Sequence, residues 1–148
     1  MNWIRRMLSD WQFWAFLSAL FAALTAVFAK LGVKKIPPDV ATFVRTIVIL
    51  IFVTAMLWLS SQFGNVKMLS QRAIAFLVLS GLATGASWIC YFRALDLGKA
   101  SQVASVDKLS VAMVAIIAAL FLQERLSPMA LTGIAMITAG TILVALAK

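Results

Sequence analysis

Hydrophobic positions along the chain gather into five long runs, at 11–31, 40–59, 73–95, 101–122 and 127–146, parted by short polar stretches. Each run has about the 20 residues that an α-helix needs to cross a bilayer's hydrocarbon core. The breaks carry helix-stopping residues. Gly32 with Pro37-Pro38 separates the first run from the second, and 60–72, with Gly64-Asn65, is the longest loop. Gly98 closes the third run, and the fourth follows so soon that the two must form an antiparallel hairpin. Ser127 reads as an N-cap and Pro128 as a first-turn residue of the fifth run.

Ahead of the runs, residues 1–10 set Trp3 and Met7 one turn apart, with Arg5 and Arg6 opposite, as in a short helix lying in the membrane interface. The apolar stretch behind it is too long for a signal-peptide core, so the segment is expected to stay attached. The expected fold class is all-α integral membrane: an interfacial amphipathic helix over 1–10, then a single domain over 11–148 with five transmembrane helices.

Composition removes the alternatives. Of 148 residues, 64% are hydrophobic, against about 45–50% in soluble domains. Thirteen Lys or Arg and five Asp or Glu are too few to make a soluble surface. Five spans of about 20 residues leave too little chain for an extramembrane domain. Soluble enzymes and nucleic-acid-binding modules are excluded, and the net charge of +8 belongs to membrane topology. With no histidine, imidazole metal sites and His-based proton relays are excluded. No cofactor and no metal are expected. The single cysteine, Cys90, reads as a packing residue.

Small residues recur at helix-packing spacing: Gly81 and Gly85 in the third run, Ala135 and Ala139 in the fifth. In lipid, close backbone approach is a main source of helix association, so these pairs suit a tight bundle or an oligomer interface.

The basic residues divide almost evenly between the two faces. Arg5, Arg6, Lys67, Arg72 and Arg125 fall on the N-terminal side, and Lys30, Lys34, Lys35, Arg93, Lys99 and Lys148 on the other. The positive-inside rule needs an imbalance to fix orientation. Five against six supplies almost none.

Arg45 and Lys108 lie inside spans. Together with Lys30, Arg93 and Asp107 they occupy the half of the bundle opposite the N-terminus. Lys30 and Arg93 are near enough to the surface to snorkel. Asp107 and Lys108 are roughly 10 Å below their helix end, where a charge faces a wet cavity or a partner. Adjacent residues diverge by about 100° on a helix, so Asp107 is expected to face Arg45 or Arg93 and to leave Lys108 available. Trp11, Trp14 and Trp58 fall at span ends as an aromatic belt, whereas Trp88 lies inside the third span one turn from Tyr91.

The stretch Trp88-Ile-Cys-Tyr-Phe-Arg-Ala-Leu, then Gly98-Lys-Ala, Asp107-Lys-Leu-Ser and Leu122-Gln-Glu-Arg-Leu-Ser, resembles an EamA domain of the drug/metabolite transporter superfamily. Gly133 and Gly140 in the fifth run, Ala26-Val-Phe-Ala-Lys-Leu-Gly and Ala41-Thr-Phe-Val-Arg-Thr extend the likeness over nearly the whole chain after residue 10. The resemblance implies half of a ten-helix inverted-repeat transporter, since most members carry two inverted five-helix units and this chain is similar to the single-unit ones. Those often have a proline just before the Asp-Lys pair of the fourth span. Ser105 stands there instead.

Two separate copies of an odd-spanned unit reproduce the inverted architecture when one inserts upside down, and balanced charge permits this. The expected assembly is therefore an antiparallel, dual-topology homodimer in a bacterial-type inner membrane, contacting membrane lipids. The expected function is secondary transport of a small organic metabolite by alternating access. Lys108, Arg45 and Arg93 would contact an anionic or polar group, Trp88 and Tyr91 would supply apolar or stacking contact, and Asp107 would couple protons or act as counter-ion. The basic excess leans toward anionic or zwitterionic substrates. Small multidrug transporters carry their key carboxylate in the first span, and 11–31 contains none. The rival reading is a non-transporting assembly, regulatory or lipid-binding subunit. An intramembrane enzyme lacks its acid–base pairs.

Overall fold

Proline and threonine chemistry sets the entry to the second helix. Pro37 and Pro38 hold the chain extended and then fix the first helical turn, where a missing N–H costs nothing. Asp39 follows in that first turn, where the helix dipole favours a negative charge. Thr42 donates its hydroxyl to the Pro38 carbonyl at 2.9 Å and Thr46 to that of Thr42 at 2.8 Å, so both satisfy themselves within their own helix. The same device serves Thr132 and Thr138 near the other end of the chain.

A computed structural model describes residues 10–32 and 36–147. Its helices are α1 (Trp11–Gly32), α2 (Pro38–Leu59), α3 (Gln71–Leu97), α4 (Ala100–Asp107), α5 (Leu109–Phe121) and α6 (Pro128–Leu146), with a 3₁₀ turn at Phe63–Met68. The first three, the α6 helix and the combined stretch Ala100–Phe121 are long and apolar enough to cross a membrane, which makes the five expected spans. Among the described residues there is no strand. The interfacial helix expected over 1–10 lies outside the described residues but for Asp10.

The chain divides into two units, 1–31 with 98–148 and 32–97. In the second unit α2 and α3 run antiparallel, because residue 39 of α2 meets residue 93 of α3 while residue 45 meets residues 88 and 92. The α2 residues withdrawn from the surface are Pro38, Ala41, Thr42, Arg45, Ile49 and Leu57, a one-sided stripe, and on α3 they include Gly85, Trp88, Phe92 and Leu95. Arg45 is thus on the packed face of its helix. At 27 residues α3 is about 40 Å long, more than the roughly 30 Å hydrocarbon core, so its ends reach headgroup level. The α2 C-terminus closes with Gln62 N–H on the Leu57 carbonyl and Ser61 N–H on that of Trp58, which sets Ser61 at a left-handed φ of 54°.

In the first unit α4 and α5 pack on α6. Gln102 Nε2 donates to the Ala147 carbonyl at 2.7 Å, setting the start of α4 beside the end of α6. The packed stripe of α5 is made of Leu109, Ala112, Ala115 and Ala118, and that of α6 of Ala130, Ile134, Thr138 and Thr141. Small residues let these backbones approach, as helices in lipid require. Ser127 caps α6 as expected, accepting the Ala130 N–H at 3.2 Å. Large apolar side chains elsewhere point outward, with Trp58 77% and Leu59 86% exposed. In water that would be untenable; in a bilayer these are lipid-facing.

Candidate functional site

Arg45 lies seven residues beyond Pro38, about 10 Å along α2. A charge in the hydrocarbon region costs about 2.5–3.5 kcal/mol at the bilayer centre by insertion scales and must find compensation. Here it comes from rings. The Arg45 guanidinium carbon lies 4.4 Å from the centroid of Trp88 and 5.6 Å from that of Phe92, both on α3. The negative ring faces attract the cation, worth about 2 kcal/mol when desolvated. Tyr91 lies beside Phe92 on α3 and is half-buried. Among the described residues no carboxylate stands within ion-pair distance of Arg45.

Arg93 is in a different situation. Its Nη2 donates to both oxygens of Asp39 at 3.2 Å, and the two side chains are 62% and 63% exposed. The pair joins the start of α2 to the last turns of α3, at the level where helix ends meet headgroups. Sequence reasoning missed Asp39. The signal that could have found it is the antiparallel register of the second and third spans, which sets the first turn of one against the last turn of the other.

In the other unit the fourth span is interrupted. Lys108 N–H bonds to the Ser105 carbonyl at 2.9 Å and Val111 N–H to that of Lys108 at 3.0 Å, three-residue steps in place of the four-residue ladder. Ser105 Oγ donates back to the Ser101 carbonyl at 2.8 Å, a contact that bends helices. The break therefore forms at Lys108 without the proline of the resembling proteins. It also corrects the expected orientation of the two charges. Lys108 Nζ lies 3.6 Å from Asp107 Oδ2. Asp107 was expected to turn from its neighbour toward an arginine, but the break and the long lysine side chain bring the adjacent charges together. Lys30, expected to snorkel, donates instead to the Gly98 carbonyl at 2.8 Å and ties the end of α1 to the start of the α4 segment.

The glycine pair is open. A Cβ added at Gly81 or at Gly85 would meet nothing within 4 Å. Ala135 and Ala139 are exposed, off the packed stripe of α6. No group of three or more His, Cys, Asp or Glu that could hold a metal occurs among the described residues.

The EamA-like transporter family matches residues 10–146. The chain belongs to this family. It is 55% identical over 139 residues to a protein of Sinorhizobium sp. named as an uncharacterised transporter in the cobO 3′ region, a match covering 94% of this chain and 99% of that one. An uncharacterised protein of Methanocaldococcus jannaschii is 25% identical over 132 residues, covering 89% and 93% of the two chains. No solved structure matches this chain. The EamA-like protein is accordingly a multi-pass membrane protein of a transporter family.

Proposed function

We propose that this EamA-like protein is a secondary transporter of a small anionic or zwitterionic organic metabolite, working by alternating access as an antiparallel, dual-topology homodimer in a bacterial-type inner membrane. The observation that carries the reading is that the transporter family occupies nearly all of a chain whose described residues hold five helices long and apolar enough to cross a membrane. An inverted second copy supplies the other half of a transporter without any new sequence. Near-equal basic charge on the two faces permits both insertions. The exposed Gly81 on α3 and the exposed Ala135 and Ala139 on α6 offer close-approach surfaces to that copy. Lys108 and Asp107, at the break in the fourth span, are the groups assigned to the transported charge: the lysine to the substrate, the carboxylate to a proton or to the lysine as counter-ion.

A reporter fused to the C-terminus tests the topology. Signal from both sides of the membrane is expected, and a signal confined to one side sinks the dual-topology dimer. Reconstituted vesicles test the activity. Lys108→Gln is expected to abolish uptake while leaving the protein folded. If Asp107 and Lys108 are both neutralised without effect on transport, their assignment is wrong. If no solute moves under any gradient, the protein is a non-transporting or lipid-binding subunit.

A further inference from the structure

Three arginines lie on the α2–α3 hairpin, Arg45, Arg72 and Arg93, and among the described residues only Arg93 is ion-paired. Arg93 is neutralised by Asp39 through two contacts to one carboxylate. Arg45 lies over two rings, Trp88 at 4.4 Å and Phe92 at 5.6 Å, with Tyr91 a further electrostatic neighbour. Ring contacts compensate the charge of a guanidinium but give its N–H groups no oxygen. An arginine has five such donors in a rigid planar fork, matched in shape to a carboxylate or a phosphate. Among the described residues no acid approaches it, and its place on the packed stripe of α2 keeps it away from the lipid-facing side of that helix.

We infer that Arg45, clamped by Trp88 and Phe92, is an oxyanion-binding residue that receives the carboxylate or phosphate of a bound molecule. The rings hold the guanidinium in place before the ligand arrives, so little rotamer entropy is lost on binding. A ligand oxyanion then completes the donors that the rings cannot serve. Arg93 is not assigned to this recognition, because its charge is already paired with Asp39 through Nη2. The oxyanion can come from a soluble metabolite or from a lipid headgroup, since both present the same oxygens. The inference rests on the transport reading only for the use to which the site is put.

Trp88 makes the site observable. In the full chain with Trp3, Trp11, Trp14 and Trp58 changed to Phe, emission comes from Trp88 alone. This protein, in phosphatidylcholine nanodiscs, is titrated with benzoate and, as a neutral isostere, benzamide. Benzoate is expected to shift Trp88 emission saturably and benzamide to leave it unchanged. Arg45→Gln is expected to weaken benzoate binding at least tenfold, the scale of losing one charge-assisted hydrogen bond. Arg93→Gln should change it less than threefold. Because Arg45→Gln can also loosen the hairpin, Arg45→Lys is the second variant: it keeps the charge and the stem but not the fork, and should bind several-fold more weakly than the parent while remaining folded.

Adding phosphatidylglycerol distinguishes the two sources. If a lipid phosphate occupies the site, benzoate affinity falls as this lipid rises, in the parent but not in Arg45→Gln. If the ligand is a solute, the lipid makes no difference. Equal response to benzamide, undiminished binding in both Arg45 variants, or no response of Trp88 to benzoate at tens of millimolar in either lipid overturns the inference. A chain that binds benzoate through Arg45 yet carries no solute across vesicles refutes the transport reading and keeps the site. Uptake unchanged in Arg45→Gln does the reverse.

Discussion

Arg45 and Lys108 stand at nearly the same distance from the starts of their spans, seven residues beyond Pro38 and eight beyond Ala100, yet the protein treats them in opposite ways. Arg45 sits in an unbroken helix, turned onto the packed face and held by two rings. Lys108 sits where the helix ladder is interrupted, with its side chain half exposed and its partner the residue beside it. Depth alone therefore does not say what a membrane-embedded charge is for. The continuity of its backbone and the kind of partner decide. A cation clamped by rings on a rigid helix is suited to holding an anion in one place. A charge at a break, tied to a neighbour that moves with it, is suited to a segment that bends.

Proline substitution breaks that contrast most sharply. Val48→Pro in the middle of α2 removes a ladder bond and collides with the preceding turn, at a cost of about 3 kcal/mol or more. Leu109→Pro falls on the first residue of α5, directly after the three-residue step at Lys108, where less of the regular ladder is left to lose. Its cost is expected at about 1 kcal/mol or less, by unfolding in detergent. Equal costs at the two positions would mean that the fourth span behaves as one continuous helix. Hydrogen exchange in nanodiscs reads the same difference without mutation. Amides over 105–112 are expected to exchange faster than those over 42–49, because fewer ladder bonds hold them.

This contrast also separates what the sequence discloses from what it hides. Five spans are legible because lipid demands about 20 apolar residues per crossing, and Ser127-Pro128 announces the start of α6 by chemistry local to two residues. The embedded charges are legible as exceptions to that apolar rule. Their partners are not. Asp39 lies 54 residues from Arg93, and only the register of α2 against α3 brings them together. The break at Lys108 hides for another reason. No glycine or proline marks it, and the shift to three-residue bonding shows only in the backbone hydrogen bonds around Lys108. Treating the fourth span as an ideal helix is what put Asp107 and Lys108 on diverging faces.

A pair of double-mutant cycles sharpens the comparison at intermediate magnitude. Arg45→Gln with Trp88→Leu is expected to give a coupling of about 1–2 kcal/mol, since the ring contact joins two helices in a desolvated stripe. Asp107→Asn with Lys108→Gln is expected to give less than about 0.5 kcal/mol. Both side chains are partly exposed, and adjacent residues stay close in the unfolded chain too, so folding gains little from their attraction. A large coupling at 107/108 with none at 45/88 would invert the roles assigned to the two regions.

A third pair, Asp39–Arg93, tests whether Arg93 resembles Arg45 at all. Asp39 and Arg93 are well exposed at the helix ends, so screening reduces their attraction to roughly 0.2–1 kcal/mol. That coupling should fall further as salt rises, because a Debye length of about 10 Å at 0.1 M reaches exposed charges readily. The ring clamp on Arg45, a short-range contact on the packed face, should be nearly indifferent to the same salt. Measuring both cycles at low and high ionic strength therefore separates an arginine held at a wet interface from one held in the packed stripe. A salt-sensitive Arg45–Trp88 coupling would mean that water reaches the guanidinium freely, and Arg45 would then be one more surface arginine, like Arg93.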